Sequence, residues 1–446
     1  MGRAVLCEGL VEEQLRYLRK HAGPCVGFLI GQPVANGNYY VVHANRLKTE
    51  RAPNGDAKEL LDQDVRQISQ HALVETRMLP GGMYVLGIFV FHENNLFEDQ
   101  ALLQRVKLIL LNMKASFEAN PLLMGYWDEQ DRDEKLVLYY SCRNKSYCCK
   151  TVSLDTDSPS VRPCDWKFSE QPSSWYQFKT YFETNDVCPL QQKIEKGQQY
   201  DTEANLTECA NMVNEQLAGA KILFDGLLRP ESDSVEGTLR KMERTTLDVQ
   251  VYLPSPTHFQ EGEAKIDQYN GMLKFDGIVS SQVYVHSQCT FRELERFIKA
   301  DIVRSLMSRI QIHCDSLVQT DDGVQDKITL NELPRRIYFP IQQKYSNFPV
   351  QFSDYLFPDE AKERLVTQID DILAVNLAPN LLNATVELVP AVKEDERHNA
   401  EECGSEMGRM GENDGDGDLK LNMPVVSAIG AAFVLVIGLL VYYMLK

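Results

Sequence analysis

The sequence predicts an α/β N-terminal domain, a second domain of α+β type and a single C-terminal transmembrane helix. Three observations predict it. Strand-like and helical runs alternate through the first 150 residues, and long helical runs flank groups of strands between 201 and 390. The stretch 423–445, MPVVSAIGAAFVLVIGLLVYYML, carries no charged side chain.

In the first unit, 1–150, residues 8–20 place Leu10, Leu15 and Leu18 on neighbouring faces of a short helix. Two strands follow, 25–30 (CVGFLI) and 39–44 (YYVVHA), with Gln32-Pro33 and Asn36-Gly37-Asn38 punctuating the turn between them. A polar helix over 56–77 aligns Leu61, Val65 and Ile68. Residues 83–92 (MYVLGIFVFH) are apolar nearly throughout, as in a strand buried on both faces. A second helix, 97–115, carries Leu102, Val106, Ile109 and Leu110, and strands at 122–127 and 135–141 close the unit. Residues 151–200, Ser/Pro/Asp-rich and then aromatic (Trp166, Trp175, Tyr176, Phe178), read as a connector packing on the first domain.

The second unit, 201–390, is expected to hold a helix at 203–224, a strand at 247–254, a strand pair within 271–286, a strand at 336–339 and a helix at 359–374. Between them Thr290 and Glu293 form a capping box for a helix over 291–312. That helix sets Phe291, Leu294, Ile298, Ile302, Leu306 and Ile310 on one face, an amphipathic pattern. Residues 391–420 are an acidic, Gly-rich linker. Asp414, Asp416 and Asp418 begin like a calcium loop, but Leu419 and Val425 stand where the loop needs glycine and a bidentate glutamate.

At about 1.5 Å of rise per residue, 423–445 spans roughly 30 Å, the hydrocarbon thickness of a bilayer. The span 421–446 is represented by Pro424, Val425, Gly430, Phe433, Gly438, Tyr442 and Leu445, with Tyr442 near one end where an amphipathic ring favours the headgroups. Residues 1–20 lack the apolar region of a signal peptide, so a tail anchor with the bulk of the chain cytosolic is the expected topology. The sequons at Asn144, Asn205 and Asn383 are then expected to carry no glycan. Ser427 and Ala431 make a small-xxx-small pair within the span.

The formal charge of −18 argues against binding nucleic acid or anionic lipid, which reward basic patches. None of the eleven cysteines falls in a C-x-x-C pair, so reduced, mostly packed thiols are expected. The sequence has no phosphate-binding loop, no G-x-G-x-x-G, no G-x-S-x-G elbow and no recognisable cysteine-protease signature.

The element order of 1–150, with GFLIG at 27–31 and YVLGIFVFH at 84–92, resembles the MPN fold of JAB/JAMM metalloproteases and their inactive relatives. The active motif of that family is H-x-H, seven residues, Ser, two residues, Asp. Here the first histidine position is Val90, only His92 fills the second, and Gln100 and Leu103 occupy the serine and aspartate positions. One imidazole cannot hold zinc, so an MPN domain without metal, cofactor or catalysis is expected. His43 on the second strand is not required as a partner by its spacing.

The layout as a whole resembles the odorant-response-abnormal-four family. The resemblance rests on the MGR start, GFLIG, YVLGIFVF, the block 283–310 (VYVHSQCTFRELERFIKADIVRSLMSRI) and the C-terminal span. It implies a non-catalytic, single-pass protein of the endoplasmic reticulum membrane that assists maturation and delivery of a subset of G-protein-coupled receptors. It further implies a link to the cysteine protease that processes the ubiquitin-fold modifier, recruited by pairing with that enzyme's MPN-like region. Two alternatives stand beside this adaptor reading: a direct receptor chaperone acting through its span, and a residual metallohydrolase of MPN type.

Overall fold

Seven strands close into a barrel in a computed structural model that describes residues 3–21, 23–34, 37–48, 60–125, 133–144, 146–155, 159–169, 174–190, 202–254, 271–317, 332–341, 350–358 and 360–387. The strands are β1 (Arg3–Glu8), β2 (Cys25–Val34), β3 (Asn38–Arg46), β4 (Tyr84–His92), β5 (Glu134–Ser141), β6 (Tyr147–Ser153) and β7 (Ser160–Ser169). Their order is β1-β3-β2-β4-β5-β6-β7, and β1 runs parallel to both β3 and β7, which shuts the ring. Closure leaves no edge strand to template aggregation. Strands β2 and β5 are buried at every position and β4 at every position but its last, so their sequences read as continuous apolar runs rather than alternating ones.

Helix α1 (Gly9–His21) buries Val11 and Leu15 against this sheet. Helices α2 (Val65–Met78) and α3 (Gln100–Glu118) are N-capped by Asp64 and Asp99, whose carboxylates accept from Arg66 N and from Ala101 and Leu102 N. The expected strand at 122–127 is instead, over its described part, a single helical turn, α4 (Pro121–Met124). Pro121 pre-sets the first helical φ, and Gly125 at φ +66° stops the turn. A Cβ at Gly125 would sit 2.4 Å from the Ala300 Cβ, so the glycine also permits close approach of a later helix.

A second sheet has the order β11-β8-β10-β9: β8 (Trp175–Leu190), β9 (Lys221–Phe224), β10 (Thr246–Tyr252) and β11 (Gly271–His286). Residues 271–286, expected as a strand pair, are one strand antiparallel to β8 along its whole length, from Gly271↔Leu190 to His286↔Trp175. Its partner comes from the stretch expected as a connector, which also supplies β7. Helices α5 (Thr202–Ala218), α6 (Val235–Met242) and α7 (Phe291–Leu317) accompany this sheet; a β12 (Arg335–Pro340)–β13 (Gln351–Leu356) hairpin and α8 (Lys362–Leu373) follow.

Helix α7 begins at its capping box as expected: Thr290 N donates to Glu293 Oε2 at 2.9 Å, and Glu293 N to Thr290 Oγ1 at 3.4 Å. Its expected amphipathic character does not persist. Residues 300–310 are buried all round, because α7 lies on β11 and also meets α2, α4 and α5.

Met1–Pro390, which spans the expected segments 1–150, 151–200 and 201–390, gathers into one compact unit. The expected linker 391–420 and span 421–446, with all the span residues named above, lie outside the described residues. Among the described residues no helix is long and apolar enough to cross a membrane.

Candidate functional site

Residues at the metalloprotease-like positions do not converge on a metal. Val90 lies in mid-β4, fully buried and paired with Val26 and Tyr139. His92 ends the strand half-buried, and its Nδ1 accepts from Asn94 N at 3.0 Å. Beside it Glu93 and Arg143 form an exposed ion pair at 2.5 Å. Gln100 is exposed in the first turn of α3, and Leu103 is half-buried one turn on. Neither Val90 nor Leu103 has a lone pair to offer, so these positions do not fit zinc. Among the described residues no group of three or more His, Cys, Asp and Glu is placed to hold a metal ion.

The polar chemistry that is concentrated in the fold lies at the seam between barrel and second sheet. Gln32 of β2 spans it with three bonds: Nε2 donates to Gly82 O (3.0 Å) and Tyr284 O (2.9 Å), and Oε1 accepts from His286 N (2.8 Å). The His286 ring stacks on Tyr40 of β3 with centroids 3.4 Å apart. Burial holds His286 neutral, its pKa lowered to about 4. Gly81 adds two backbone bonds, from its N to Gln282 O and from Tyr284 N to its O, both 3.0 Å.

Below these, charged side chains are buried in pairs. Arg336 of β12 makes a two-pronged bond to Asp301 of α7, at 2.8 and 3.0 Å, with neither side chain exposed. Ser281 Oγ donates to the same Asp301 at 2.6 Å, and Arg336 also reaches Ser353 Oγ and Leu79 O. Arg309 of α7 pairs with Glu387, which accepts in addition from Ser280 N (2.8 Å) and Arg336 N (2.9 Å). Arg304 donates to Leu123 O at 2.8 Å and Met83 O at 3.2 Å, tying α7 to α4 and to the approach to β4. A third connection joins the barrel to α8: His43 Nε2 donates to Leu373 O at 3.0 Å and Asn45 Nδ2 to Ile372 O at 2.7 Å, satisfying carbonyls of the helix end. Burial lowers the His43 pKa to about 4 and drives the nearby Glu75 carboxyl well above the usual range.

Most of these groups are bonded to one another or to backbone, so their chemistry is that of a lock rather than a reactive centre. The sequence block 283–310 supplies Tyr284, His286, Asp301, Arg304 and Arg309 to it. Sequence reasoning read that block through its apolar positions and missed the polar ones. The available signal was the recurrence of Asp301, Arg304, Ser305, Ser308 and Arg309 at helical spacing, which is also the signature of a solvated face.

A crystal structure of UfSP from C. elegans aligns with a TM-score of 0.43 at 10% identity, covering 84% of this chain and 56% of that one. A protein odr-4 homolog of Mus musculus is 27% identical over 393 residues, covering 84% of this chain and 83% of the relative. One from Drosophila melanogaster is 22% identical over 414 residues, covering 82% and 83%. The family described as ODR4-like, odorant response abnormal 4-like, matches residues 27–384, from the β2 strand to just past the Asn383–Tyr338 bridge, and this chain belongs to it.

Proposed function

We propose that this chain is a non-catalytic, membrane-tethered adaptor of the endoplasmic reticulum that assists maturation and delivery of a subset of G-protein-coupled receptors. Its barrel, read as an MPN-type domain, pairs with the MPN-like region of the ubiquitin-fold-modifier cysteine protease, and the apolar run 423–445 holds that protease at the membrane. The observation that carries this reading is the match to a family described by odorant response, extending over 27–384. Val90 and Leu103 at the ligand positions support a role in holding partners rather than in hydrolysis.

The test is localisation with and without the anchor. The full chain, expressed in cells, is expected to co-purify with the protease from membranes. The chain ended before residue 421 is expected to retain the protease but leave it diffuse in the cytosol. Failure of both forms to bind the protease would end the adaptor reading. Loss of receptor delivery when 425–445 is replaced by an unrelated tail anchor would favour the direct chaperone instead. Stoichiometric zinc in the purified protein, with activity lost in His92→Ala, would restore the hydrolase.

A further inference from the structure

The barrel holds two thiols face to face. In the β6–β7 ladder Lys150 pairs with Pro163, so one step on Cys149 lies opposite Cys164. Both side chains are buried, at 5% and 8% exposure, and the two thiols share a hydrogen bond. Residues directly opposed across antiparallel strands have Cα atoms about 4.5–5.5 Å apart, within the roughly 4.4–6.8 Å that a disulfide spans. Bridging them therefore needs side-chain rotation rather than movement of the strands.

The two sulfurs are not equivalent. The hydrogen bond from Cys149 draws the Cys164 thiol below its usual pKa against the opposing effects of burial and of the Glu134 carboxylate, and the Arg3 guanidinium on the neighbouring strand adds a smaller pull in the same downward direction. Arg3 is held in that position by its ion pair with Glu134 and by donating to Tyr39 Oη at 2.7 Å, one strand over in the Arg3↔Cys164 register. Cys149 is pushed the other way, chiefly by the same hydrogen bond and then by burial. Burial also raises Cys7, Cys25 and Cys289, so these thiols are held protonated and poorly nucleophilic.

We propose that Cys149 and Cys164 form a reversible, peroxide-sensitive disulfide that staples β6 to β7 beside the point where β1 closes the barrel. The Cys164 thiolate attacks one oxygen of hydrogen peroxide; the O–O bond breaks, the second oxygen leaves as water, and Cys164 becomes a sulfenic acid. Cys149 loses its proton, attacks that sulfur, and the S–S bond forms as a second water departs. Two thiols and one peroxide thus give one disulfide and two water molecules, and a dithiol reverses the change.

The test uses the full chain carrying Cys148→Ala, which removes the neighbouring thiol from the tryptic peptide 146–150. After graded hydrogen peroxide, alkylation and digestion, peptide 146–150 is expected to be linked to peptide 151–167, and the link to vanish with dithiothreitol. Cys149→Ala is expected to leave Cys164 as a sulfenic acid that dimedone traps, while Cys164→Ala is expected to leave Cys149 unoxidised at the same dose. Because the linked peptide is scored on a chain retaining both thiols, it does not depend on those last two variants folding. Absence of the linked peptide at doses that oxidise the half-buried Cys142 would overturn the proposal, as would its appearance only in denaturant.

Discussion

Arg336 and Asp301 show how a single pair can be costly to break and yet contribute little net stability. Two ions removed from water lose hydration worth several kcal/mol each, and their mutual attraction plus added hydrogen bonds roughly offsets that loss. Asp301→Ala strands a buried guanidinium and is expected to cost about 3–5 kcal/mol, read as a fall in the urea midpoint. Asp301→Leu combined with Arg336→Met is expected to recover most of it; a double variant as unstable as the single would show that the pair itself stabilises the fold. A second residue-level expectation concerns pH. Burial raises Asp354 to about 7 against the pull of Arg77, while it lowers His43 to about 4. Asp354 binds a proton in the folded chain that the unfolded chain releases above its ordinary pKa, so its contribution is full in acid and is lost as pH rises toward about 7. His43 has the opposite sign: the unfolded chain takes up a proton below the ordinary histidine pKa, and stability is lost as pH falls from there toward about 4. Each is worth on the order of 3 kcal/mol at the far side of its window. Between about pH 4.5 and 6 the two oppose, so relative to the parent, Asp354→Asn should make stability rise more steeply with pH and His43→Gln should make it rise less or fall. Identical slopes in all three proteins would show that neither group is perturbed. Apart from His43, none of these residues stood out in the sequence, because a charged side chain carries no local mark of whether it will meet water or a partner far along the chain.

Elements whose cause is local were legible; those whose cause is distant were not. The Thr290–Glu293 box and the apolar runs of β2, β4 and β5 depend on neighbours in sequence, and they form where expected. Thr290→Ala should cost about 1 kcal/mol by leaving first-turn amides of α7 without their cap. The partner of β11 was misread because short-range turn logic cannot place β8 beside it, although Tyr176, Phe178 and Phe182 already fell at the even spacing of one strand face. Strands β1, β6 and β13 went unassigned for the same reason: each is short, and pairing rather than periodicity defines them. At Gly82 a turn comes close against a strand. Its φ of +83° and a Cβ position 2.4 Å from Tyr284 O leave no room for a side chain. Gly82→Ala is therefore expected to lose about 1–3 kcal/mol and to speed amide exchange at Tyr284, whose N–H is bonded across the seam. Unchanged exchange there would mean that the seam tolerates displacement of the 79–82 turn.

At the scale of the molecule, the seam decides whether barrel and sheet behave as one body. Gln32, Gly81, Arg304 and Arg336 each join segments separated by more than a hundred residues. A division near residue 150, natural from composition, would cut β6 and remove β7 entirely. Strand β1 would lose β7 and keep only β3, Cys149 would face no opposing thiol, and Gln32 would be left with one of its three bonds, to Gly82 O. Opening a barrel edge exposes both unpaired backbone and the apolar interior, each unfavourable in water. A fragment of residues 1–150 is therefore expected to bind a hydrophobic dye and to melt without a sharp transition. A fragment of residues 1–390 is expected to unfold in one transition seen alike by tryptophan fluorescence, whose three reporters include Trp166 and Trp175 on either side of the seam, and by far-ultraviolet circular dichroism. Two separated transitions in the longer fragment, or a sharply melting 1–150, would show instead that the barrel is complete without β7 and that the buried charges join two bodies able to fold apart.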